Sequence, residues 1–498
     1  MDWSFAPNEQ RMSMAEQKKT YVIPDLPMEA ESAYTLIQQE IGLDSEPQYN
    51  LATFSNSLVD EWGHRLVEEN LSKNFINRGD YQYSSVIEKR LIWMMGELLG
   101  MEFLPEDQQD PDNCPRFYGT TTNGSSEAVM LGLIAHRYHW RQQNQDHPHR
   151  HPQDRPFVLM STHVHTCWDK YCKYFEAGAL YVSVGKDQFG LTGAQVQHIL
   201  EQTIEESPYR SLILDFCNYP ASYDGWKNRR VGELVMVIGG IAGSNYTGTN
   251  DDIRGIDQAI EAYVANTGET PIPVHLDAAS SGLILPFLEA AEGAPGTIGF
   301  RESKHIQSIN ISNHKFGFTY PGLGCVLFRN HQVVASELVY QISYLSGKFA
   351  NFGINFTRSS SMILLQYYQF MRLGKIGYRQ LVQQCLVNAQ LLVRKIVNHP
   401  QLGQLLEPIS DNRSYPICVF KWVGPNPQDS LPSFIQSLAD QGLRIPFYRL
   451  PTTSALTPDG HYVIRMVVQQ HLTPEFIHSV ILKMDQAVKG LTVRPSSW

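Results

Sequence analysis

Val274-His275-Leu276-Asp277-Ala278-Ala279-Ser280-Ser281-Gly282 and, further on, Ser312-Asn313-His314-Lys315-Phe316-Gly317 decide how this chain is read. Each follows a short apolar run, Ile272 to Asp277 and His305 to Ile311, and each ends in a residue able to do chemistry. Short apolar runs bounded by polar turns suit strands buried on both faces. Working outward, further strand candidates are Pro156 to Met160, Ala179 to Val184, Ser211 to Phe216, Leu234 to Gly240 and Gly324 to Phe328. Helical spacing lies between them at Ser125 to Trp140, Ala194 to Glu206 and Asp252 to Asn266. Strands alternating with helices predict an α/β fold around a mainly parallel sheet, and such sheets place ligands beyond the carboxyl ends of their strands.

The flanks differ. The first thirty residues are polar with little periodicity and are expected to form a mobile arm, followed by a short helix from Ala33 to Ile41. From Ser361 to about Val397 the spacing is helical, with a break expected near Gly374 and Gly377. Beyond it, strands Ile417 to Val423 and Tyr462 to Val468 alternate with helices Leu431 to Gln441 and Pro474 to Val488, a small α+β unit. The division expected is an arm over 1–48, a large domain over 49–385 and a small C-terminal domain over 386–498.

Composition narrows the function classes. Forty Lys and Arg against fifty Asp and Glu give a net charge of −10, which argues against nucleic-acid or anionic-membrane partners. The longest apolar run, Leu234 to Gly243, is about half of what spans a bilayer. Met1-Asp2-Trp3-Ser4-Phe5 lacks the blocks of a secretion signal, and seven cysteines without a CxxC pair form no disulfide framework, so a cytoplasmic chain is expected. The loop His147-Pro148-His149-Arg150-His151-Pro152 reads as solvated, and no metal is expected.

Three features carry chemistry. Gly119-Thr120-Thr121-Thr122-Asn123-Gly124-Ser125-Ser126-Glu127-Ala128 enters a helix, whose free N–H groups and serine hydroxyls could hold a phosphate; alone it is equally a helix cap. Asp277, ending an apolar strand, would suit a cationic ring nitrogen, or could cap the next turn. Lys315, beside a sheet terminus and apolar neighbours, is placed for burial and a lowered pKa, as a nucleophilic amine requires. Gly239-Gly240-Ile241-Ala242-Gly243 misses the G-x-G-x-x-G spacing of a dinucleotide site.

In this order the motifs resemble the group II pyridoxal-phosphate decarboxylases, on the aspartate-aminotransferase-like fold (fold type I), and most closely the glutamate decarboxylases. Asn50-Leu51-Ala52-Thr53-Phe54, Ser72-Lys73-Asn74-Phe75-Ile76, Tyr246-Thr247-Gly248, Ile354-Asn355-Phe356-Thr357-Arg358 and Gln366-Tyr367-Tyr368-Gln369-Phe370-Met371-Arg372-Leu373-Gly374 extend the likeness from about Ala33 to Tyr378. Ile464-Arg465-Met466 is its clearest late match. The resemblance implies pyridoxal 5'-phosphate carried on Lys315, with Asp277 on the ring nitrogen, His165 stacked on the ring, and Ser125, Ser126 and His314 on the phosphate. Ala279 and Asn245 would be further contacts, and Thr357 would reach the phosphate from a second subunit of a homodimer or higher homo-oligomer.

For the substrate it implies L-glutamate decarboxylation to 4-aminobutanoate and carbon dioxide, with Thr53, Phe54, Asn74, Asn77 and Arg465 as contacts. This sequence departs from those relatives at several points. Asn77 replaces their Asp, His165 their Gln, and Asp169 their His, and Val467-Val468-Gln469-Gln470-His471 replaces a basic stretch. Decarboxylation of aspartate, cysteate or a neutral amino acid, a carbon–carbon lyase, or a silent relative remain the alternatives.

Overall fold

Apart from the first, the seven strands of the main sheet owe their burial to the apolar runs that form them. They are β1 (Gly119–Thr122), β2 (Phe157–Ser161), β3 (Gly178–Val182), β4 (Val235–Ile241), β5 (Val274–Asp277), β6 (Ile306–Ile311) and β7 (Gly324–Phe328), in the order β1-β7-β6-β5-β4-β2-β3. This computed structural model describes residues 23, 25–42, 44–55, 59–145, 150–185, 188–288, 299–342, 349–410, 414–453 and 459–492. Every residue of β2, β4, β5 and β7 is buried, as a sheet covered on both faces requires. Each such Val, Ile or Leu contributes roughly 1.5–3 kcal/mol over its exposed state.

Pairings β3–β2, β2–β4, β4–β5 and β5–β6 are parallel, while β7 runs antiparallel to both β6 and β1. Six strands therefore end at the same edge, and β7 starts there. The chain leaves that edge after Thr122, Ser161, Val182, Ile241, Asp277 and Ile311, so six separate loops start from one end of the sheet. The fold is that of the aspartate aminotransferase type, a large and mainly parallel sheet with a smaller C-terminal sheet unit.

Two sequence expectations fail here for physical reasons. Ser211 to Phe216, expected as a strand, lies in a helix, Arg210–Cys217. Only Ile213 and Cys217, four residues apart, are buried, and Asn218 closes the helix with a left-handed φ of 50°. A run this short does not reveal its period. Conversely β1 went unrecognised as a strand because its threonines read as a polar loop.

The helix Ser361–Val397 breaks at Gly374, whose φ of 57° and ψ of −175° no helix accommodates; Gly377 continues the helix. This element leads from one hydrophobic cluster, which includes Tyr378 and Leu386, to a second, which includes Ala389, Phe420, Phe434 and Met484. A two-stranded ribbon, β8 (Tyr340–Ile342) with β9 (Phe349–Asn351), precedes it in the chain. The second cluster is built on β10 (Leu406–Pro408), β11 (Ile417–Trp422), β12 (Phe447–Arg449) and β13 (Tyr462–Val467), in the order β10-β11-β13-β12, all antiparallel. Helices Pro427–Asp440 and Pro474–Thr492 pack on it.

Leu51, from the N-terminal region, also belongs to this second cluster; its N–H donates to Arg444 and its carbonyl accepts from Val467. That clamp fixes where Phe54 and Arg465 lie. Residues 1–22, most of the expected mobile arm, fall outside the described residues, as do His147 to His149 of the histidine loop. His151 stacks on Tyr223 with ring centres 4.2 Å apart. Among the described residues no helix is long and apolar enough to cross a membrane.

Candidate active site

The loops over the strand ends enclose a cavity of about 400 Å³. It is lined by Ser125 and Ser126 after β1, His165 after β2, Asn245 after β4, Asp277 and Ala279 at β5, and His314 and Lys315 after β6. The eight residues named for the cofactor in the large sheet thus meet in one place. Asn123, Gly124, Glu127, Cys167 and Ser312 complete the lining.

Lys315 lies on this wall. Its Nζ donates to Ser280 Oγ at 2.8 Å and lies 4.9 Å from the centre of the Phe54 ring. Ser280 Oγ in turn donates to Asn245 Oδ1 at 2.9 Å. Burial pushes the amine down to about 8, against the opposing pull of Asp277, and Arg465 adds to the lowering. Near neutral pH a far larger fraction of this amine than of an ordinary lysine is therefore unprotonated and nucleophilic.

Asp277 receives three N–H donors. Trp168 Nε1 donates to Oδ2 at 3.0 Å, while Asn310 Nδ2 and the Ala279 N–H donate to Oδ1 at 2.8 and 3.1 Å. Trp168 reaches it because β4 carries Gly239: a Cβ there would lie 2.8 Å from the indole ring. The glycine pair rejected as a dinucleotide motif thus serves side-chain packing. Two donors fill Oδ1 and one occupies Oδ2, leaving one acceptor position open on Oδ2.

His165 caps the helix Thr166–Tyr174, its Nδ1 accepting from the Cys167 N–H at 3.3 Å, so the neutral ring carries its proton on Nε2. The protein around the cavity holds this imidazole below its ordinary value, chiefly by desolvation. His314 is likewise pushed down to about 4 by burial, and its Nδ1–H donates to the Leu323 carbonyl at 2.9 Å. Its other nitrogen is therefore an acceptor when neutral. Ser125 opens the helix Ser125–Gln145, and its first turn supplies N–H groups without intrahelical partners. Glu127 accepts from the N–H groups of Asn123, Ile354 and Asn355, tying this loop to the segment that carries Thr357.

Of the substrate residues, Phe54 and Arg465 approach the cavity. The Arg465 guanidinium lies 4.9 Å from the Phe54 ring centre and donates to the carbonyls of Asn245 at 2.6 Å and Ala52 at 2.7 Å. Thr53 turns its hydroxyl to the Ser55 N–H at 3.0 Å, and its carbonyl accepts from Gln469 at 3.0 Å. Asn74, Asn77 and Thr357 are not on the cavity wall. Asn74 pairs with Ser359 in an isolated antiparallel bridge, Phe75 donates to the Arg358 carbonyl, and Thr357 is exposed.

A family profile described as the pyridoxal-dependent decarboxylase conserved domain matches residues 44–213 and 227–422. The chain belongs to the pyridoxal-dependent decarboxylases. It is an amino-acid carboxy-lyase, and its cofactor is pyridoxal 5'-phosphate. This decarboxylase is 31% identical over 458 residues to glutamate decarboxylase beta of Listeria innocua serovar 6a, covering 92% of this chain and 88% of the relative. A solved Lactobacillus brevis glutamate decarboxylase superposes with a TM-score of 0.79 at 26% identity, covering 97% of both chains. The sphingosine-1-phosphate lyase of Burkholderia pseudomallei shares the fold, with a TM-score of 0.69 and 16% identity over 96% of this decarboxylase and 94% of the lyase.

Sequence reasoning passed over three residues that the decarboxylase uses to build the site: Ser280, Trp168 and Asn310. A signal existed for Asn310. In Ile306-Gln307-Ser308-Ile309-Asn310-Ile311 the polar Ser308 and Asn310 share one face of a strand that is otherwise apolar there.

Proposed function

We propose that the chain converts L-glutamate to 4-aminobutanoate and carbon dioxide, as a cytoplasmic homodimer. The observation that carries this is the run of glutamate decarboxylases among its relatives, at 31% identity over 92% of the chain for the Listeria innocua enzyme. The cavity supports the cofactor half of the reading. Ser125, Ser126 and the helix N-terminus offer donors and positive potential to a phosphate, and His314 lines the wall beside them. Asp277 offers its single open acceptor to a protonated ring nitrogen. His165 provides a planar face, and Ala279 and Asn245 complete the wall.

When bound, pyridoxal phosphate supplies an electron sink for the pair released as the Cα–carboxylate bond breaks. Lys315 would hold the cofactor, and its amine, lowered by burial, would be able to move a proton at the substrate Cα. Asp277, as a carboxylate, keeps the ring nitrogen protonated. Arg465 spends two of its donors on backbone carbonyls, which orients the remaining guanidinium edge for a substrate carboxylate.

Thr53, Phe54, Asn74 and Asn77 are proposed to receive the distal carboxylate, and Thr357 to reach the phosphate across the dimer. The separation of Asn74, Asn77 and Thr357 from the cavity within one chain supports a two-chain site. The test is carbon dioxide release from a panel of L-amino acids. Turnover of glutamate above aspartate, cysteate and aromatic substrates is expected; turnover of any of these with none of glutamate overturns the substrate assignment.

A further inference from the structure

We infer that His136, Ser308, His275 and Asn310 form a one-way hydrogen-bond chain that positions the Asp277 carboxylate for the cofactor's ring nitrogen. The inference rests on the reading of Asp277 given above. The parallel register sets His275 beside Ser308 and Asp277 beside Asn310, and alternate residues of a strand share a face. That face is covered by the helix Ser125–Gln145, from which His136 reaches down. His136 Nε2 lies 2.7 Å from Ser308 Oγ, which lies 2.6 Å from His275 Nδ1. His275 Nε2 lies 2.9 Å from Asn310 Oδ1, and Asn310 Nδ2 donates to Asp277 Oδ1 at 2.8 Å. His275, Ser308 and Asn310 have no exposed surface, and His136 has 3%. Room for the chain is built in: a Cβ on Gly132 would stand 2.5 Å from the His275 ring.

The direction of every proton follows from the acid. An ionised carboxylate only accepts, so Asn310 must turn its amide nitrogen to Asp277 and its oxygen to His275. That oxygen also only accepts, so His275 carries a proton on Nε2. Burial disfavours the imidazolium at both histidines, leaving His275 Nδ1 bare. Ser308 then spends its single proton on His275 Nδ1, and its oxygen accepts from His136 Nε2–H. Reversing any link requires either a charged histidine in the core or a buried acceptor facing an acceptor. The chain therefore holds the acid as a fixed acceptor whose one open position is on Oδ2. His136 and His275 are positioning residues, since neither lines the cavity.

The first test needs no cofactor: nitrogen-15 spectra of histidine-labelled apo-protein at pH 7. Both His275 and His136 are expected as neutral Nε2–H tautomers, and an Nδ1–H or doubly protonated His275 overturns the inference. The second compares His275→Gln, which keeps a donor toward Asn310, with His275→Leu, which does not. Cofactor affinity, measured by titrating each apo-protein, is expected to fall about tenfold or more in His275→Leu and less than about threefold in His275→Gln. Equal losses overturn the chain. Unchanged affinity in Asp277→Ala would instead defeat the cofactor reading itself, so the two failures are distinguishable. Should His275→Leu not fold, the tautomers of the wild-type protein still decide.

Discussion

Two sets of residues carry the functional resemblance, and the fold treats them differently. Those for the cofactor come from five loops at one sheet edge and close on a single cavity around Lys315 and Asp277. Those for the substrate lie differently: Phe54 stands against Lys315 and Arg465 against Phe54, while Asn74 and Asn77, like Thr357 of the cofactor set, are off the cavity wall. Strand ends are rigid, and their side chains are placed by register, so one chain suffices to arrange the electron-sink chemistry. Specificity, by contrast, is proposed to rest on connecting segments away from those strand ends.

The comparison breaks most visibly at the amine. Lys315→Ala is expected to lower kcat/KM by roughly a thousandfold or more, about 4 kcal/mol in the barrier, with the fold retained. Asp277→Ala should weaken cofactor binding by about 2–5 kcal/mol, the range for breaking one partner of a buried charged pair, read by apo-protein titration.

A third prediction uses pH. The Lys315 amine is pushed from 10.5 to about 8 by burial, so between these values the unfolded chain binds more protons than the folded one. Stability of the apo-protein should therefore rise as pH climbs from about 8 to 10.5, by on the order of 3 kcal/mol from this group. Below pH 8 the cost of the buried charge is fully present. Denaturant melts of wild type against Lys315→Met isolate this slope; identical slopes would contradict it.

The role of Thr357 is tested by complementation. Thr357→Ala alone should weaken the enzyme about tenfold, the loss of one charge-assisted hydrogen bond. Mixing Lys315→Ala with Thr357→Ala chains should restore about a quarter of wild-type activity if the threonine acts across a two-fold axis, and nothing if it acts within one chain. The smallest effect expected is from Asn77→Asp, a change of a few-fold in glutamate KM with kcat held, since it alters one proposed contact to a distal group.

How far the sequence could be read follows the same divide. Strands β2 to β7 were visible because apolar runs of this kind have few other uses, and Asp277 at the end of β5 and Lys315 beyond β6 marked the site. Ser211 to Phe216 failed because six residues cannot separate a helical from an extended period, and Arg210–Cys217 settled as a helix with only one face buried. Trp168 was unreadable as a partner of Asp277, since its approach depends on Gly239 of a different strand. Gln469, noted only as a departure from the relatives, turns out to bind the carbonyls of Thr53 and Ser55 and so shapes the segment beside Phe54. Contacts between distant segments leave no periodic trace in either one.

The most direct measurement is where the cofactor attaches. Holoenzyme reduced with borohydride and digested should yield one pyridoxyl-labelled peptide, with the label on Lys315. A label on any other lysine, or none with the cofactor bound, would contradict the account.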